Sequence, residues 1–152
     1  EQAIALADRN STRFALLLID LDHFKAVNDT HGPWMGSKLL GEVGDLIKDH
    51  CRIIDLAFRY GGDEFVILLP QTSKENACRV ANRLHKLIRE NVWLKDVGLN
   101  VHITSSVGIA SYPGDSKTKA DLLHLADEAM YNVKNTTRDA VAAATLGVLP
   151  NT

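Results

Sequence analysis

The chain has 152 residues, of which 45% are hydrophobic and 24% are charged, and this composition indicates one folded domain rather than a disordered chain. The formal net charge of −2 leaves no basic surplus for a nucleic-acid polymer or an anionic membrane surface, and no apolar run approaches the roughly 20 residues of a transmembrane helix. The two cysteines, Cys51 and Cys78, are too few for a disulfide framework or a zinc site, so we expect reduced thiols and a cytoplasmic location.

The first third of the chain predicts a buried strand followed by a helix. Residues 1–9 have the pattern of the end of a helix and residues 10–12 that of a turn, so we interpret the chain as a domain that lacks its N-terminal start. The continuous apolar run Phe14–Ile19 is typical of a strand that is buried on both faces. Residues 36–49 place their apolar side chains on one helical face.

The middle of the chain predicts a hairpin and a second helix. The short strands Leu56–Tyr60 and Glu64–Leu69 flank Gly61–Asp63, and glycine in such a short connection indicates a tight turn. The segment Thr72–Glu75 has the T-x-x-E form of a capping box. A helical stripe of apolar residues then continues to about residue 91.

The last third predicts a strand over Val101–Tyr112, a turn at Pro113–Asp115, and a helix that Thr118 caps and that runs to about residue 135. Residues 140–152 form either an edge strand or a loose tail. The order of elements indicates one α+β domain, with a mostly antiparallel sheet and helices on one face.

Acidic residues follow the first strand and occupy the hairpin. Asp20-Leu21-Asp22 stands where the strand meets solvent, and Asp63-Glu64 stands in the hairpin. If the strands are neighbours, as in ferredoxin-like folds, the two acidic tips converge. Carboxylates and carbonyls suit Mg²⁺, and two such ions about 4 Å apart serve phosphoryl or nucleotidyl transfer. The alternative is that each aspartate is a solvated loop residue and Gly-Gly-Asp an ordinary turn.

Four segments in chain order carry a family resemblance. Their sequences are D-L-D-H-F-K-A-V-N-D at Asp20–Asp29, R-Y-G-G-D-E-F at Arg59–Phe65, S-S-V-G-I-A at Ser105–Ala110 and A-D-E-A-M-Y-N-V-K at Ala126–Lys134. Together they resemble the motifs of GGDEF-domain nucleotidyl cyclases, the diguanylate cyclase family. The resemblance implies a ferredoxin-like sheet of about five strands wrapped by helices, akin to adenylyl cyclase and polymerase palm domains.

The resemblance also implies a catalytic centre with two Mg²⁺ or Mn²⁺ ions per active site. Asp20 and Asp63 would hold the metals together with the Leu21 carbonyl. Glu64 would assist the metal or polarise the nucleophile, and Lys25 would stabilise charge on the transferring phosphate.

Further positions match the triphosphate contacts of that family. The backbone near His23 and Phe24 would cradle the terminal phosphates, and Gly61 and Gly62 would let the backbone approach them closely. The phosphate-binding cations would be Lys134 and Arg138. They could instead be cations that the dipole favours at a helix end. The usual G-R-N reads Thr137-Arg138-Asp139 here. The family acts as a homodimer, because one domain binds one triphosphate and cannot close the ring alone.

The base pocket departs from the usual pattern. Asn28 is present, but Ser37 replaces the aspartate that reads guanine, and Pro33 replaces a histidine of the same pocket. A carboxylate accepts from both donors of guanine and disfavours adenine, whereas a serine hydroxyl donates and accepts and can serve either purine. Ser37 resembles the hybrid promiscuous (Hypr) GGDEF subfamily, which makes cyclic AMP-GMP from ATP and GTP, and that is the product we expect, alongside cyclic di-GMP. The alternatives are an ordinary diguanylate cyclase that uses two GTP and an inactive domain that only binds nucleotide.

A second nucleotide site is also implied. Arg52 and Asp55 match the R-x-x-D inhibitory site of the family, and Arg83 matches a further arginine of that site. The cyclic dinucleotide product would bind there through guanine, since arginine and aspartate can pair with its two edges. The alternative is a solvated ion pair on a loop.

Overall fold

The computed structural model describes residues 12–144, which form a five-stranded sheet with helices. The strands are β1 (Phe14–Asp22), β2 (Leu56–Arg59), β3 (Glu64–Pro70), β4 (Thr104–Tyr112) and β5 (Ala140–Ala143). The helices are α1 (Phe24–His31), α2 (Pro33–Asp49), α3 (Lys74–Glu90) and α4 (Lys119–Thr136), with a short 3-10 turn at Lys95–Val97. No helix within residues 12–144 is long and apolar enough to cross a membrane.

Strand β1 is the centre of the sheet, whose strand order is β2-β3-β1-β4-β5. It pairs antiparallel with both β3 and β4, while β4 and β5 are parallel. The register places Asp20 opposite Glu64 on one side and opposite Ser106 on the other. The predicted convergence of the two acidic segments at one edge of the sheet is therefore confirmed, as is the mostly antiparallel α+β class.

Helices cover both faces of the sheet, so the expectation of helices on one face is wrong. On one face the odd-numbered residues of β1 pack with the apolar sides of α2 and α3. On the other face the even-numbered residues pack with α4. All nine residues of β1 are buried. A strand that is apolar at odd and even positions alike needs a helical layer on each side, because leaving either set exposed forfeits its burial energy.

The element boundaries differ from expectation in a few places. Helix α1 was not predicted as a separate element, and Gly32, whose φ is 90°, separates it from α2. Helix α2 begins at Pro33 rather than at residue 36, with proline in the first turn, where its missing N–H costs nothing. Strand β4 begins at Thr104, and Val101 instead forms an isolated bridge with Trp93.

The predicted caps are half right. Thr118 caps α4, since its hydroxyl accepts from the Asp121 N–H. The cap of α3 is Ser73, which accepts from the Asn76 N–H, and not Thr72. Residues Ala140–Ala143 form the edge strand β5, which is one of the two alternatives expected for residues 140–152. The predicted helix and turn at residues 1–11 and the rest of the tail, residues 145–152, lie outside the described residues.

Helix α4 lies directly on β4 at Gly108. A Cβ at this position would collide with the Ala126 carbonyl oxygen and would lie 2.7 Å from the Met130 nitrogen. We predict that Gly108→Ala lowers the free energy of unfolding by about 1–3 kcal/mol, the usual range for overpacking a tight core. Gly41→Ala is the matched control, because nothing lies within 4 Å of its Cβ position and alanine is favoured in a helix by up to about 1 kcal/mol. Urea unfolding of both variants measures the difference, and equal stabilities would contradict the close packing.

Candidate active site

The acidic residues that the sequence singled out meet where β1 ends and β3 begins. Asp20 lies near the end of β1 opposite Glu64, and Asp63 immediately precedes β3. The Leu21 N–H donates to the Asp63 carbonyl oxygen at 3.1 Å, so the hairpin tip is tied to β1 beyond the regular ladder. The structure thus brings together Asp20, Leu21, Asp63 and Glu64.

The charges of this cluster are incompletely balanced. Asp20 is 7% exposed, and its pKa is raised to about 7, first by burial and then by the neighbouring Asp63 carboxylate. Burial, followed by Asp63, also raises the pKa of Glu64. Lys134 opposes both shifts, and its Nζ lies 3.1 Å from Asp20 Oδ1. A cation bound here would restore the ionised carboxylates, which is the electrostatic requirement of a metal site.

The donor set fits a hard divalent cation that keeps part of its ligand shell. Within residues 12–144, no group of three or more His, Cys, Asp or Glu side chains could hold a metal on its own. Mg²⁺ is commonly bound by one or two carboxylates together with water and phosphate oxygens. Asp20, Asp63 and the Leu21 carbonyl therefore fit such an ion when a nucleotide supplies the remaining oxygens.

Asp22 has a different role from Asp20, although both belong to the same D-L-D segment. Its side chain is fully buried and accepts hydrogen bonds from Thr104 Oγ1 at 2.7 Å, Ser106 Oγ at 2.8 Å and the Asp139 N–H at 3.0 Å. A buried carboxylate with three donors is satisfied by the protein itself. Asp22 therefore joins β1 to β4 and to the turn after α4, a role that the sequence did not reveal.

Helix α1 starts directly beside the acidic cluster. His23 has a φ of 63° in the left-handed region, and this turn starts the helix immediately after β1. The first turn of α1 has no side-chain cap, so its backbone N–H groups are directed out of the helix end. Lys25 is exposed in this turn, and Phe24 is buried and anchors it. Such a helix start favours anionic groups.

The hairpin turn is held by an arginine that the sequence analysis did not include among the site residues. Arg59 donates from Nε to the Gly61 carbonyl oxygen and from Nη2 to the Gly62 carbonyl oxygen, each at 3.1 Å. The position of Arg59 in R-Y-G-G was the available signal. Gly61 also leaves room for the Glu64 side chain, because a Cβ would lie 2.7 Å from Glu64 Oε1 and would displace that carboxylate.

A cavity of about 430 Å³ lies between α2 and β2. Ser37 is one of its lining residues and is exposed. Asn28 lies against the same helix, since a Cβ on Gly36 would collide with Asn28 Oδ1. That Oδ1 atom is buried and has no hydrogen-bond partner among residues 12–144, so it is available to accept from a polar ligand. Pro33 is exposed and is the first residue of α2, where it starts the helix.

The two cations at the end of α4 differ in position. Lys134 contacts Asp20, as described above, and is the last basic residue of the helix. Arg138 is exposed and follows the helix with a φ of 51°. The structure therefore places Lys134 in the acidic cluster and Arg138 in the adjoining turn.

The residues of the suggested second site lie at the other end of β3. Arg52 Nη2 donates to Asp55 Oδ1 at 2.8 Å, and the same nitrogen donates to the Pro70 carbonyl oxygen and to Thr72 Oγ1, each at 2.9 Å. Pro70 ends β3, six residues after Glu64, so this group is about 20 Å from the acidic cluster by the rise of a strand.

Arg52 and Asp55 form a structured ion pair rather than two independent solvated side chains. The Asp55 side chain is 4% exposed and that of Arg52 is 51% exposed. Arg83 is on α3, and its Nη2 donates to the His50 carbonyl oxygen at 3.0 Å. About half of the Arg52 side chain remains open to solvent.

Comparison with known families gives one assignment over nearly the whole described chain. A family model described as "Diguanylate cyclase, GGDEF domain" matches residues 1–140. The bifunctional diguanylate cyclase/cyclic di-GMP phosphodiesterase MucR of Pseudomonas aeruginosa is 43% identical over 139 residues, which are 91% of this chain and 20% of that protein. The diguanylate cyclase DosC of Escherichia coli is 35% identical over 141 residues, 93% of this chain and 30% of that protein.

Solved structures agree with the fold. The GGDEF domain of PA1120 (YfiN or TpbB) from Pseudomonas aeruginosa superimposes with a TM-score of 0.89 at 37% identity, covering 96% of this chain and 91% of that one. The GGDEF domain of DgcB from Caulobacter crescentus, solved in complex with c-di-GMP, gives a TM-score of 0.84 at 28% identity, covering 93% and 84%. The chain spans between 20% and 38% of the length of the curated relatives it matches most strongly.

Proposed function

The chain belongs to the diguanylate cyclase GGDEF-domain family, and we propose that it is a nucleotidyltransferase that joins two GTP molecules into cyclic di-GMP and releases two pyrophosphates. The observation that carries this proposal is the under-neutralised pair Asp20 and Asp63, which lies beside Glu64 and Lys134. The names of its relatives favour cyclic di-GMP as product over the mixed dinucleotide.

The acidic cluster would hold Mg²⁺ or Mn²⁺ through Asp20, Asp63 and the Leu21 carbonyl. The bound ions would supply Lewis-acid stabilisation of charge on the transferring phosphate. Glu64 lies opposite Asp20 and its pKa is raised, so it is suited to interact with the 3′-hydroxyl that attacks, or with a metal ligand. Arg59 holds the Gly61-Gly62 turn in the shape that presents these acids.

The triphosphate would lie across the start of α1 and the end of α4. The uncapped first turn of α1, at His23 and Phe24, offers backbone N–H groups to terminal phosphate oxygens. Lys25 stands in the same turn and would stabilise negative charge that develops on the phosphate. Lys134 and Arg138 would bind phosphate oxygens from the other side.

A second copy of the domain is required by the geometry of the product. Each domain would present one GTP, with its 3′-hydroxyl and its α-phosphate facing the partner. Ring closure needs two new phosphodiester bonds between two nucleotides, so each active site would be completed by the other protomer. We therefore propose a homodimer as the catalytic unit.

A mixed product, cyclic AMP-GMP from ATP and GTP, is a second candidate because Ser37 lines the cavity between α2 and β2. A hydroxyl can donate to adenine or accept from guanine, whereas an aspartate there would reject adenine. Asn28, with its unsatisfied buried Oδ1, would serve as the common contact for either purine. An inactive domain that only binds nucleotide is the third candidate, and it is disfavoured by the intact cluster of acids.

We further propose that the product binds at Arg52, Asp55 and Arg83 and inhibits the enzyme from there. The half-exposed side chain of Arg52 is oriented by Asp55, and such pre-ordering lowers the entropy lost on binding a guanine edge.

The metal assignment predicts loss of product in Asp63→Ala and in Glu64→Ala. Each variant removes a carboxylate of the cluster, so product formation from GTP with Mg²⁺ is expected to fall by at least about 100-fold, while the thermal unfolding midpoint stays close to that of the parent. Glu75→Ala, an exposed acid at the start of α3, is the control and should keep full activity. Wild-type turnover in Asp63→Ala would remove the basis of the metal assignment.

The base pocket predicts a change of product in Ser37→Asp. Under the second candidate, the parent forms cyclic AMP-GMP when GTP and ATP are both present, and the variant should lose that product while cyclic di-GMP is retained. One discriminating hydrogen-bond pair is worth about 1–3 kcal/mol, so ATP incorporation should fall by roughly one to two orders of magnitude. Mass spectrometry of the products measures the ratio. Cyclic di-GMP as the sole product of the parent would leave only the diguanylate cyclase candidate.

The inhibitory site predicts weaker product binding in Arg52→Ala and in Arg83→Ala. The affinity for cyclic di-GMP, measured by calorimetry, should fall at least about tenfold, since each variant removes a charged hydrogen-bond donor. Arg83→Ala is the cleaner variant, because Arg52→Ala also leaves the buried Asp55 without its ion-pair partner. Unchanged affinity in both variants would mean that the pair is only structural.

A further inference from the structure

The turn between α4 and β5 has a backbone that needs external support. Arg138 and Asp139 have φ values of 51° and 50°, which is the left-handed region that non-glycine residues adopt only at a free-energy cost. Two such residues in succession persist only where surrounding contacts hold them. The contacts that do so here converge on Asp139.

Asp139 is held at both its backbone and its side chain. Its N–H donates to the buried Asp22 Oδ2 at 3.0 Å. Its Oδ1 lies 2.7 Å from His85 Nε2, and its Oδ2 lies 3.6 Å from Arg89 Nη1. An ionised carboxylate can only accept, so the His85 Nε2–H is the donor. His85 is buried on α3 and Arg89 is half-exposed one turn later.

These contacts link α3 to the active-site end of β1. Asp22 follows Asp20 by two residues on the same face of the strand, a separation of about 7 Å. Lys134, four residues before Arg138, contacts Asp20. Arg138 is thus fixed between a helix end that is tied to Asp20 and a residue that is tied to Asp22.

The charge of residue 139 matches its two partners in this chain. The resemblance to G-R-N would give asparagine at this position, and an asparagine has no negative charge to attract Arg89. The carboxylate of Asp139 stands where an asparagine would have a neutral amide. It can therefore form charge-assisted contacts with both Arg89 and His85.

We propose that His85 and Arg89 are positioning residues, which act through Asp139 to hold Arg138 in the orientation that binds the triphosphate of the substrate. The inference rests on the proposed function, because that function makes GTP the ligand whose triphosphate Arg138 would bind. Neither His85 nor Arg89 is proposed to touch the nucleotide, so their effect should appear in substrate affinity more than in turnover.

His85→Ala is the first test. The KM for GTP, and the Kd for a GTP analogue with a non-hydrolysable α–β linkage in Mg²⁺, should each rise about tenfold, as expected when a charged hydrogen bond is misaligned. The kcat should change less than about twofold, because phosphate binding by Arg138 is present before and during the reaction. His85→Gln keeps a side-chain donor and should restore most of the affinity.

Arg89→Ala removes the second partner of the Asp139 side chain. Because Arg89 is half-exposed, this variant should stay folded. We expect its Kd for the analogue to rise by only about threefold, since the ion pair is partly exposed. Arg79→Ala is its matched control, since Arg79 is also on α3 and bonds Asn76 of the same helix. Amide hydrogen exchange at Asp139, measured without nucleotide, should accelerate in His85→Ala and stay unchanged in Arg79→Ala.

A double-mutant cycle decides whether the two residues act together. His85→Ala with Asp139→Ala should raise Kd no further than Asp139→Ala alone, whereas independent effects would multiply. Multiplying effects, or a parent-like Kd in His85→Ala with an unchanged unfolding midpoint, would overturn the proposal. A parent that binds the analogue but forms no cyclic product would refute the proposed function and leave this inference to be judged by Kd. A parent that does not bind the analogue would refute both.

Discussion

Antiparallel pairing of β1 with β3 and with β4 decides where every acidic side chain of the site lies. Asp20 stands opposite Glu64 and Ser106 because both neighbouring strands run against β1. A shift of one residue in either register would turn these side chains to the other face of the sheet. The apolar packing of β1 on both faces opposes such a shift, so the hydrophobic core and the acidic cluster depend on the same register.

Asp20 and Asp22 lie on the same strand, but their different partners suit them to different roles. Asp20 and Asp22 share a face of β1, and both are buried. Asp22 has three hydrogen-bond donors and holds the surrounding elements together. Asp20 faces other carboxylates and one lysine, and its pKa is raised first by burial and then by the neighbouring Asp63 carboxylate. Protein donors satisfy the carboxylate of Asp22, whereas the carboxylate of Asp20 has no such set of donors within residues 12–144. A cation would therefore bind at Asp20 and not at Asp22.

Much of this arrangement was accessible from the sequence, and the exceptions have physical causes. The strand Phe14–Ile19 and the hairpin at Gly61–Asp63 followed from local pattern, whereas the pattern of residues 140–152 left an edge strand and a loose tail as alternatives. The second helical layer was not predicted, although the continuous apolar run had already indicated a strand that is buried on both faces. The roles of Arg59 and Asp139 were also missed. The contacts of Arg59 are local but depend on the geometry of the Gly61-Gly62 turn, whereas those of Asp139 involve residues that are distant in the chain, which no local pattern encodes.

The proposed function depends on Asp20 and Asp63 binding the divalent cation of a nucleotide complex. Crystals grown with Mn²⁺ and a non-hydrolysable GTP analogue, measured at the manganese absorption edge, test it most directly. We expect an anomalous peak within coordination distance of both carboxylates, with triphosphate oxygens as further ligands and the guanine in the cavity between α2 and β2. Manganese bound elsewhere, with Asp20 paired only to Lys134 as in the free protein, would contradict it.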